Sequence, residues 1–249
     1  MQKEIRLDLI QKYDPNALRQ VSEGRSVYYS AKRLLDIVIS SILLVLLSPL
    51  MLLTALMIFL YSPGPIFFIQ KRVGAKRQRY GKFSYWKRVN FRCYKFRTMK
   101  INADPSIHQA YVKALITNDQ NQMTALQGEA TGTHKLIHDP RIIRPGIILR
   151  KVSVDELPQL WNVLCGDMSL VGPRPAIPYE VEMYQPWHLW RLQAQPGITG
   201  WQQITARCTT DFDQQVRLDI EYIENQSIWL DLRIMLQTPW AIISTKGAY

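Results

Sequence analysis

Apolar residues are concentrated in one stretch near the start of the 249-residue chain. Residues 37–60 form a run of 24 positions without a charged side chain. As an α-helix this run would extend over about 36 Å, enough to cross a hydrocarbon core of about 30 Å. A cleaved signal peptide is not expected after about thirty polar residues, and a buried core helix rarely has this length without a polar interruption. The pattern therefore predicts a membrane helix.

Two features of this stretch favour a helix that bends and returns over one that spans the membrane. Ser48-Pro49 lies near its middle, where proline cannot donate to the carbonyl of Val45 and kinks the helix. The Ser48 hydroxyl can bond to a carbonyl one turn earlier, which makes the break tolerable in lipid. Basic residues flank both ends, so the positive-inside rule places both ends in the cytoplasm. These residues are Lys12, Arg19, Arg25, Lys32 and Arg33 before the stretch, and Lys71, Arg72, Lys76, Arg77 and Arg79 after it.

The ends of the predicted membrane helix carry two further signals. Asp36 lies three residues after Arg33, and we expect the two to form an i,i+3 ion pair at the interface rather than a catalytic site. The segment Pro63-Gly64-Pro65 is expected to end the helix and to turn the chain back.

The later part of the chain predicts two amphipathic helices. The apolar residues of the first share one helical face, and a second series follows a break at 225–227. The first series is Phe212, Val216, Ile220 and Ile223, and the second is Trp229, Leu232, Leu236, Trp240 and Ile243. Either helix could belong to the core or lie along a membrane surface. Residues 101–133 are polar, with a helical pattern around 108–117, and are expected to form a surface excursion or a flexible loop.

Positive charge is localised as well. The chain has 31 Lys and Arg against 20 Asp and Glu, and residues 62–100 hold twelve of the basic residues and no acidic one. Aromatic residues are interleaved with them, a composition that suits single-stranded nucleic acid. It also suits anionic lipid headgroups, and the adjoining apolar stretch favours the lipid. The cysteines Cys93, Cys165 and Cys208 are too few for a disulfide framework and are expected to be reduced thiols.

The densest polar chemistry lies in residues 149–175. Ser153 and Glu156 fit a capping box, the common structural use of such an acidic pair. Pro158 removes a backbone donor and is expected to distort the helix start that carries Asp155 and Glu156. Because a helix N-terminus lowers the pKa of a carboxyl group, Asp155 is expected to be an ionised acceptor. Such a group can hold Mg²⁺ or act as a nucleophile.

Three arginines, Arg150, Arg174 and Arg207, accompany the acidic pair. Arg174 lies between Pro173 and Pro175, and a residue before proline has little backbone freedom. A fixed guanidinium suits bidentate phosphate binding, although carboxylates and arginines also form ordinary ion pairs. The sequence has no GxxxxGK[ST], GxGxxG or GxSxG motif, which argues against a P-loop ATPase, a Rossmann dehydrogenase and a serine hydrolase.

Six segments of the chain together resemble the bacterial sugar transferase family. Its members are small monotopic polyprenyl-phosphate phosphoglycosyl transferases that prime exopolysaccharide, capsule or O-antigen synthesis. The segments are KRLLDI (32–37), SPGPIFFIQKRVG (62–74), YKFRTM (94–99), DPRI (139–142), LRKVSVDELPQLWNVLCGDMSLVGPRP (149–175) and PGITGWQQITAR (196–207). The resemblance covers about residues 31–240, with the motifs in the family's order. Where many relatives have GWAQVNGR, this chain has GWQQITAR at 200–207.

The resemblance implies a reaction and a set of site residues. Such enzymes transfer a sugar-1-phosphate, here expected to be a hexose-1-phosphate, from a UDP-sugar to undecaprenyl phosphate and release UMP. By the family match Asp155 attacks the sugar-proximal phosphorus, giving a phosphosugar-aspartyl intermediate, and Asp155 and Glu156 hold Mg²⁺. The match also assigns phosphate or nucleotide contacts to Arg150, Arg174, Arg207, Lys95, Arg97 and Asp231, and the break of the re-entrant helix to Ser48 and Pro49.

The sequence as a whole predicts a mainly helical α+β protein of the bacterial inner (cytoplasmic) membrane, with its catalytic domain facing the cytoplasm. The expected parts are a polar N-terminal extension (1–30), a kinked re-entrant membrane helix (31–61) and a compact catalytic sugar transferase domain with interfacial amphipathic helices (62–249), which contains a polar insert (101–133). Expected partners are a UDP-sugar, undecaprenyl phosphate, anionic membrane lipids, downstream glycosyltransferases and a second copy of the chain, and no nucleic acid. The rival interpretations are a membrane-associated nucleic-acid-binding protein and a bitopic scaffold protein.

Overall fold

A computed structural model describes residues 20–21, 25–80, 83–127, 141–205 and 211–243, and the fold is mainly helical α+β, as the sequence predicts. The helices are α1 (Arg25–Tyr61), α2 (Ser106–Ile116), α3 (Gln120–Gln127), α4 (Arg144–Lys151), α5 (Gln159–Cys165), α6 (Pro178–Glu182), α7 (Trp201–Thr205), α8 (Phe212–Asn225) and α9 (Ile228–Ile243). Two 3₁₀ helices cover Val154–Glu156 and Pro186–Leu192. The strands are β1 (Gln20–Val21), β2 (Phe67–Tyr80), β3 (Phe83–Phe96), β4 (Ser169–Val171) and β5 (Gly197–Thr199). Most of the predicted N-terminal extension lies outside the described residues.

The long first helix, α1, contains the predicted membrane stretch. It has 37 residues, includes Pro49 and ends just before the predicted stop at residues 63–65. Ser48 Oγ donates to the carbonyl of Val45 at 2.8 Å, the bond expected at the break. Its most apolar window has a mean hydropathy of 2.7, and only 11% of that window is buried. The helix is therefore long and apolar enough to cross a membrane, and its apolar side chains are mostly not covered by the protein core.

Polar contacts near the start of α1 differ from the sequence prediction. Arg33 donates to the carbonyls of Val163 and Leu164 at the end of α5, at 2.6 and 2.7 Å. Asp36 is buried and accepts from the amide of Leu170 at 2.9 Å. The predicted Arg33–Asp36 ion pair is therefore wrong. The last carbonyls of α5 and the Leu170 amide of β4 are better partners than an exposed ion pair.

The basic window forms a long antiparallel hairpin that the sequence pattern did not predict. β2 and β3 pair without interruption from Phe67↔Phe96 to Tyr80↔Phe83, and β1 pairs with the other side of β3. On β3, Phe91 and Cys93 are buried while Arg92 between them is exposed. The interleaving of aromatic and basic residues is therefore in part the inside–outside alternation of a strand. β4 and β5 form a separate parallel pair.

Residues 106–127 are not a flexible excursion. They form α2 and α3, and the predicted helical pattern around 108–117 is confirmed. Val112 and Ile116 of α2 are buried against Trp187, Phe212 and Val216. The expectation of a loop over the core is therefore wrong for this segment, because its few apolar residues fall on one face and complete a hydrophobic cluster.

The two predicted C-terminal helices are confirmed, and the structure assigns them different surroundings. In α8 the predicted face, which includes Val216 and Ile223, is buried in the core. In α9 three large apolar residues point outward, with Trp229 82%, Leu236 80% and Trp240 77% exposed. α8 is therefore a core helix, whereas α9 keeps an apolar outer face of the kind that suits a membrane surface.

Candidate active site

Asp155 and Glu156 lie on the 3₁₀ turn between α4 and α5. Ser153 has φ 57° and ψ 20°, and its side chain makes no capping bond, so the predicted capping box is wrong. Pro158 directly precedes α5, and the predicted distortion of the helix start is confirmed. A left-handed conformation is unfavourable for serine and turns the chain sharply at this point. After the turn Asp155 is directed inward, with 8% of its surface exposed.

The environment of Asp155 raises its pKa to about 6 from an ordinary value of 3.8. Burial is the largest cause, and the negative charge of Glu156 adds to it. Lys95 and Arg150 act in the opposite direction. The expectation of a lowered pKa is therefore wrong, because a single 3₁₀ turn has too few aligned peptide dipoles to offset the loss of water.

An ion pair connects the hairpin to this turn. Lys95 lies near the end of β3, and its Nζ is 2.5 Å from Oε1 of Glu156. The side chains of Lys95 and Glu156 are 18% and 27% exposed, so the pair is only partly screened by water. Two of the residues assigned by the family match are thus in direct contact, and both influence Asp155.

A small pocket lies beside the ion pair. Arg174 reaches it from an exposed position between the buried residues Pro173 and Pro175. The pocket thus combines three cationic side chains with the carboxylate of Glu156, a suitable lining for a phosphate ester. Its lining residues are Arg72, Cys93, Lys95, Glu156, Gln159, Arg174, Pro175, Gly197, Ile198 and Gln203.

Arg72 is a pocket residue that the sequence analysis did not select. It is buried, and its guanidinium donates to the carbonyl of Pro175 at 2.8 Å. Burial lowers its pKa, and the neighbouring charge of Arg174 lowers the pKa further. The only sign in the sequence was its place in the QKRVG segment, because one basic residue among twelve does not stand out. Arg72 and Arg174 repel each other, so an anion between or beside them would be stabilised.

Two of the predicted site residues, Arg97 and Asp231, bond to other groups of the protein. Arg97 is buried and donates to the carbonyls of Ser62 at 2.5 Å and Pro63 at 3.2 Å, so it holds the turn after α1. Asp231 is 2% exposed and accepts from Lys32 at 2.8 Å. The predicted phosphate or nucleotide contacts of these two side chains are not supported by their positions, because both side chains are engaged elsewhere in the fold. Arg207 lies outside the described residues.

Comparison with known proteins identifies the family of the chain. Residues 27–245 match the family described as bacterial sugar transferase. The chain belongs to the bacterial sugar transferase family. The resemblance found in the sequence motifs is thereby confirmed.

Several curated sugar transferases are similar to the chain. The exopolysaccharide production protein ExoY of Rhizobium meliloti (strain 1021) is 35% identical over 219 residues, which cover 88% of either chain. The undecaprenyl-phosphate galactose phosphotransferase of Salmonella typhimurium (strain LT2) is 40% identical over 223 residues, 88% of this chain and 41% of its own length. The UDP-glucose:undecaprenyl-phosphate glucose-1-phosphate transferase of Caulobacter vibrioides is 38% identical over 227 residues, 88% of this chain and 72% of its own. This sugar transferase thus spans less than half of the Salmonella relative and most of ExoY.

Proposed function

We propose that this protein transfers a hexose-1-phosphate from a UDP-sugar to undecaprenyl phosphate and releases UMP. The reaction would be the first membrane step in the synthesis of an exopolysaccharide, a capsule or an O-antigen. It would take place at the bacterial inner membrane, with the catalytic domain facing the cytoplasm. The names of the relatives support the reaction class, and they specify different sugars, so a panel of donors is needed to identify the hexose.

The observation that carries the proposal is the environment of Asp155. Its carboxyl group is buried beside Lys95 and Arg150 and has a pKa of about 6. At neutral pH most of the group is ionised, and a carboxylate of raised basicity is a better nucleophile than an ordinary one. The adjoining pocket supplies Lys95 and Arg174 for the phosphoryl oxygens, whose charge would otherwise repel the carboxylate.

The proposed transfer has two displacements. An oxygen of Asp155 attacks the phosphorus that carries the sugar, the bond from this phosphorus to the bridging oxygen breaks, and UMP leaves with that oxygen. An oxygen of undecaprenyl phosphate then attacks the same phosphorus, a new diphosphate bond forms, and the carboxylate of Asp155 is released. Each step exchanges one phosphorus–oxygen bond for another, so no redox partner is needed. Two displacements allow one site to serve a soluble donor and a lipid acceptor in turn.

The carboxylates of Asp155 and Glu156 are the expected Mg²⁺ ligands. Their mutual repulsion raises the pKa of Asp155, and a divalent cation would relieve it. Within the described ranges no group of three or more metal-ligating side chains occurs. Mg²⁺ is commonly held by one or two carboxylates together with water and substrate phosphates, so the pair fits this ion. When bound, Mg²⁺ would neutralise charge on the diphosphate.

The contacts of α1 support a re-entrant topology. Near its start, Lys32 pairs with Asp231, and near its end, Ile58 is buried against Phe96 and Leu149. About 39 Å of straight helix separates Lys32 from Ile58 at about 1.5 Å per residue. A straight span would carry Ile58 across the bilayer, away from the domain that contacts Lys32. Both contacts are compatible if α1 bends at Ser48-Pro49 and both ends stay on one face.

The test is UMP release from a panel of UDP-sugars in membranes supplied with undecaprenyl phosphate. We expect Mg²⁺-dependent release that Asp155→Asn abolishes, and a phosphosugar adduct on Asp155 when the wild-type protein is incubated with donor alone and analysed by mass spectrometry. Glu182→Gln, which changes an exposed carboxylate on α6, serves as the control and should retain activity. An active Asp155→Asn variant, or turnover without the adduct, would contradict the proposal.

A further inference from the structure

The carboxamide of Asn162 bridges α5 to the edge of β3. Its Nδ2 donates to the carbonyl of Arg92 at 2.6 Å, and its Oδ1 accepts from the amide of Tyr94 at 3.0 Å. Asn162 is fully buried, so its carboxamide has no access to bulk water as an alternative partner. Only this orientation of the amide matches donor to acceptor at both contacts. The side chain therefore pairs with β3 as a peptide group of a neighbouring strand would.

This part of the β3 edge depends on Asn162 for its partners. β2 pairs with the opposite edge of β3, and in the described part of the chain β1 reaches only Ser84 and Tyr85. A buried backbone amide or carbonyl without a partner is costly. Aspartate has the shape of asparagine but lacks the donor for the Arg92 carbonyl, and an aliphatic residue lacks both groups. The contact therefore requires a carboxamide.

β3 also contacts the turn that precedes α5, at the acidic pair Asp155 and Glu156. Lys95 directly follows Tyr94, and its Nζ contacts Glu156, six residues before Asn162 in the chain. A lysine side chain has four rotatable bonds, so the position of its backbone decides which carboxylate its ammonium group reaches. Cys93 and Lys95 lie on the same face of β3 and both line the pocket, and the bonds from Asn162 hold the backbone on either side of Cys93.

We propose that Asn162 is a positioning residue for the sugar-phosphate transfer: its carboxamide holds β3 against α5 and so places Lys95 beside Glu156 and the pocket. Both polar groups of the Asn162 carboxamide are bonded to the backbone of β3, so Asn162 acts on the reaction through the placement of Lys95. The inference rests on the proposed function for its effect on the reaction. The placement of Lys95 can be measured without the reaction.

The first measurement is the rate at which a small amine-reactive reagent modifies Lys95, read by peptide mass spectrometry on the full chain. In Asn162→Asp the two facing oxygens repel, Lys95 is displaced from Glu156, and its modification rate should rise about fivefold, as expected for the loss of one buried hydrogen bond. Lys32, buried in a distant ion pair, reports on the fold and should keep its rate. Val163→Ala changes the next buried residue of α5 and should leave Lys95 unaffected.

The second measurement is UMP release with the best UDP-sugar of the panel. Asn162→Asp should lower kcat/KM about tenfold, whereas Val163→Ala should stay within about twofold of the wild type. If Asn162→Asp exposes Lys32 and so fails to fold, Asn162→Ala replaces it with the same expectations. This inference is overturned if the wild type is active and the Asn162 variant has the same kcat/KM. It is also overturned if the variant has the same Lys95 modification rate as the wild type. A wild type that releases no UMP instead contradicts the proposed function, and the Lys95 rates still decide whether Asn162 places this side chain.

Discussion

Lys32 Nζ and Asp231 Oδ2 lie 2.8 Å apart in a buried ion pair that joins the start of α1 to α9. Their side chains are 8% and 3% exposed. The hydroxyls of Tyr28 and Tyr222 also donate to Asp231, at 2.8 and 2.7 Å. The carboxylate is thus surrounded by donors from α1 and α8. This arrangement ties the start of the long apolar helix α1 to α8 and α9.

Asp231→Asn is expected to destabilise the protein rather than to weaken donor binding. It leaves Lys32 buried without its counter-charge, which costs about 3–5 kcal/mol. The thermal midpoint of the detergent-solubilised protein should fall, while the KM for the UDP-sugar of the folded fraction stays near the wild-type value. Glu221→Gln, an exposed substitution on α8, is the control for the loss of one negative charge. A raised KM with an unchanged midpoint would restore Asp231 to the substrate site.

Both ends of α1 are expected to lie on one side of the membrane, because both contact the same domain, and the flanking basic residues make this the cytoplasmic side. Single-cysteine variants at Ser30 and Lys71, which are exposed on either side of the apolar stretch, allow a direct measurement. The native cysteines would be replaced by serine first. An impermeant maleimide should label neither variant in intact cells and both in inverted membrane vesicles. Labelling of one variant in each preparation would show a bitopic chain and support the scaffold interpretation.

The raised pKa of Asp155 predicts that Asp155→Asn stabilises the protein at neutral pH. Because the folded pKa of about 6 exceeds the ordinary value of 3.8, the folded state binds the proton more tightly, and ionisation destabilises it. This loss of stability is absent at a pH below the pKa of the unfolded state. It grows as the pH rises between the two pKa values and is complete above the pKa of the folded state. The difference between the two pKa values corresponds to at most about 3 kcal/mol.

Thermal unfolding in EDTA, at a pH below and a pH above this window, measures the effect. The carboxamide that replaces the Asp155 carboxyl group cannot ionise, so the midpoint of the variant should exceed that of the wild type only at the higher pH. Glu182→Gln provides the matched control, since its side chain is exposed. A variant that is less stable at neutral pH, or whose difference does not depend on pH, would contradict the assignment of a raised pKa.

Arg72→Lys is expected to weaken donor binding, because the Arg72 guanidinium supports the Pro175 carbonyl next to Arg174. Without this hydrogen bond the segment that carries Arg174 is held less firmly. The KM for the UDP-sugar should therefore rise, by up to about the tenfold that corresponds to a charged hydrogen bond of about 1.5 kcal/mol. Arg88→Lys, exposed on the same hairpin, should leave the KM unchanged. Equal KM values for the two variants would show that Arg72 does not support the pocket.

The local sequence pattern was sufficient to predict the long helix α1, the helix α8 and the break before α9. In each case the spacing of apolar residues reflects the helix itself, whatever lies beside it. The motif around Asp155 and Glu156 identified the family, and the adjoining Pro158 indicated an irregular helix start. The Ser48 bond to the Val45 carbonyl is also a local interaction, and it was predicted correctly.

Tertiary structure decided the partners of the charged residues. From neighbours along the chain, the sequence predicted an Arg33–Asp36 ion pair and a lowered pKa for Asp155. In the structure Arg33 and Asp36 each bond to distant segments of the chain. The pKa of Asp155 is raised instead, because burial is its largest influence. The importance of Arg72 and Asn162 arises only when the hairpin packs on α5 and on the loop of Arg174. The free energy of a charge or a buried amide depends on all the groups and the water around it, and folding brings those groups together from positions far apart in the sequence.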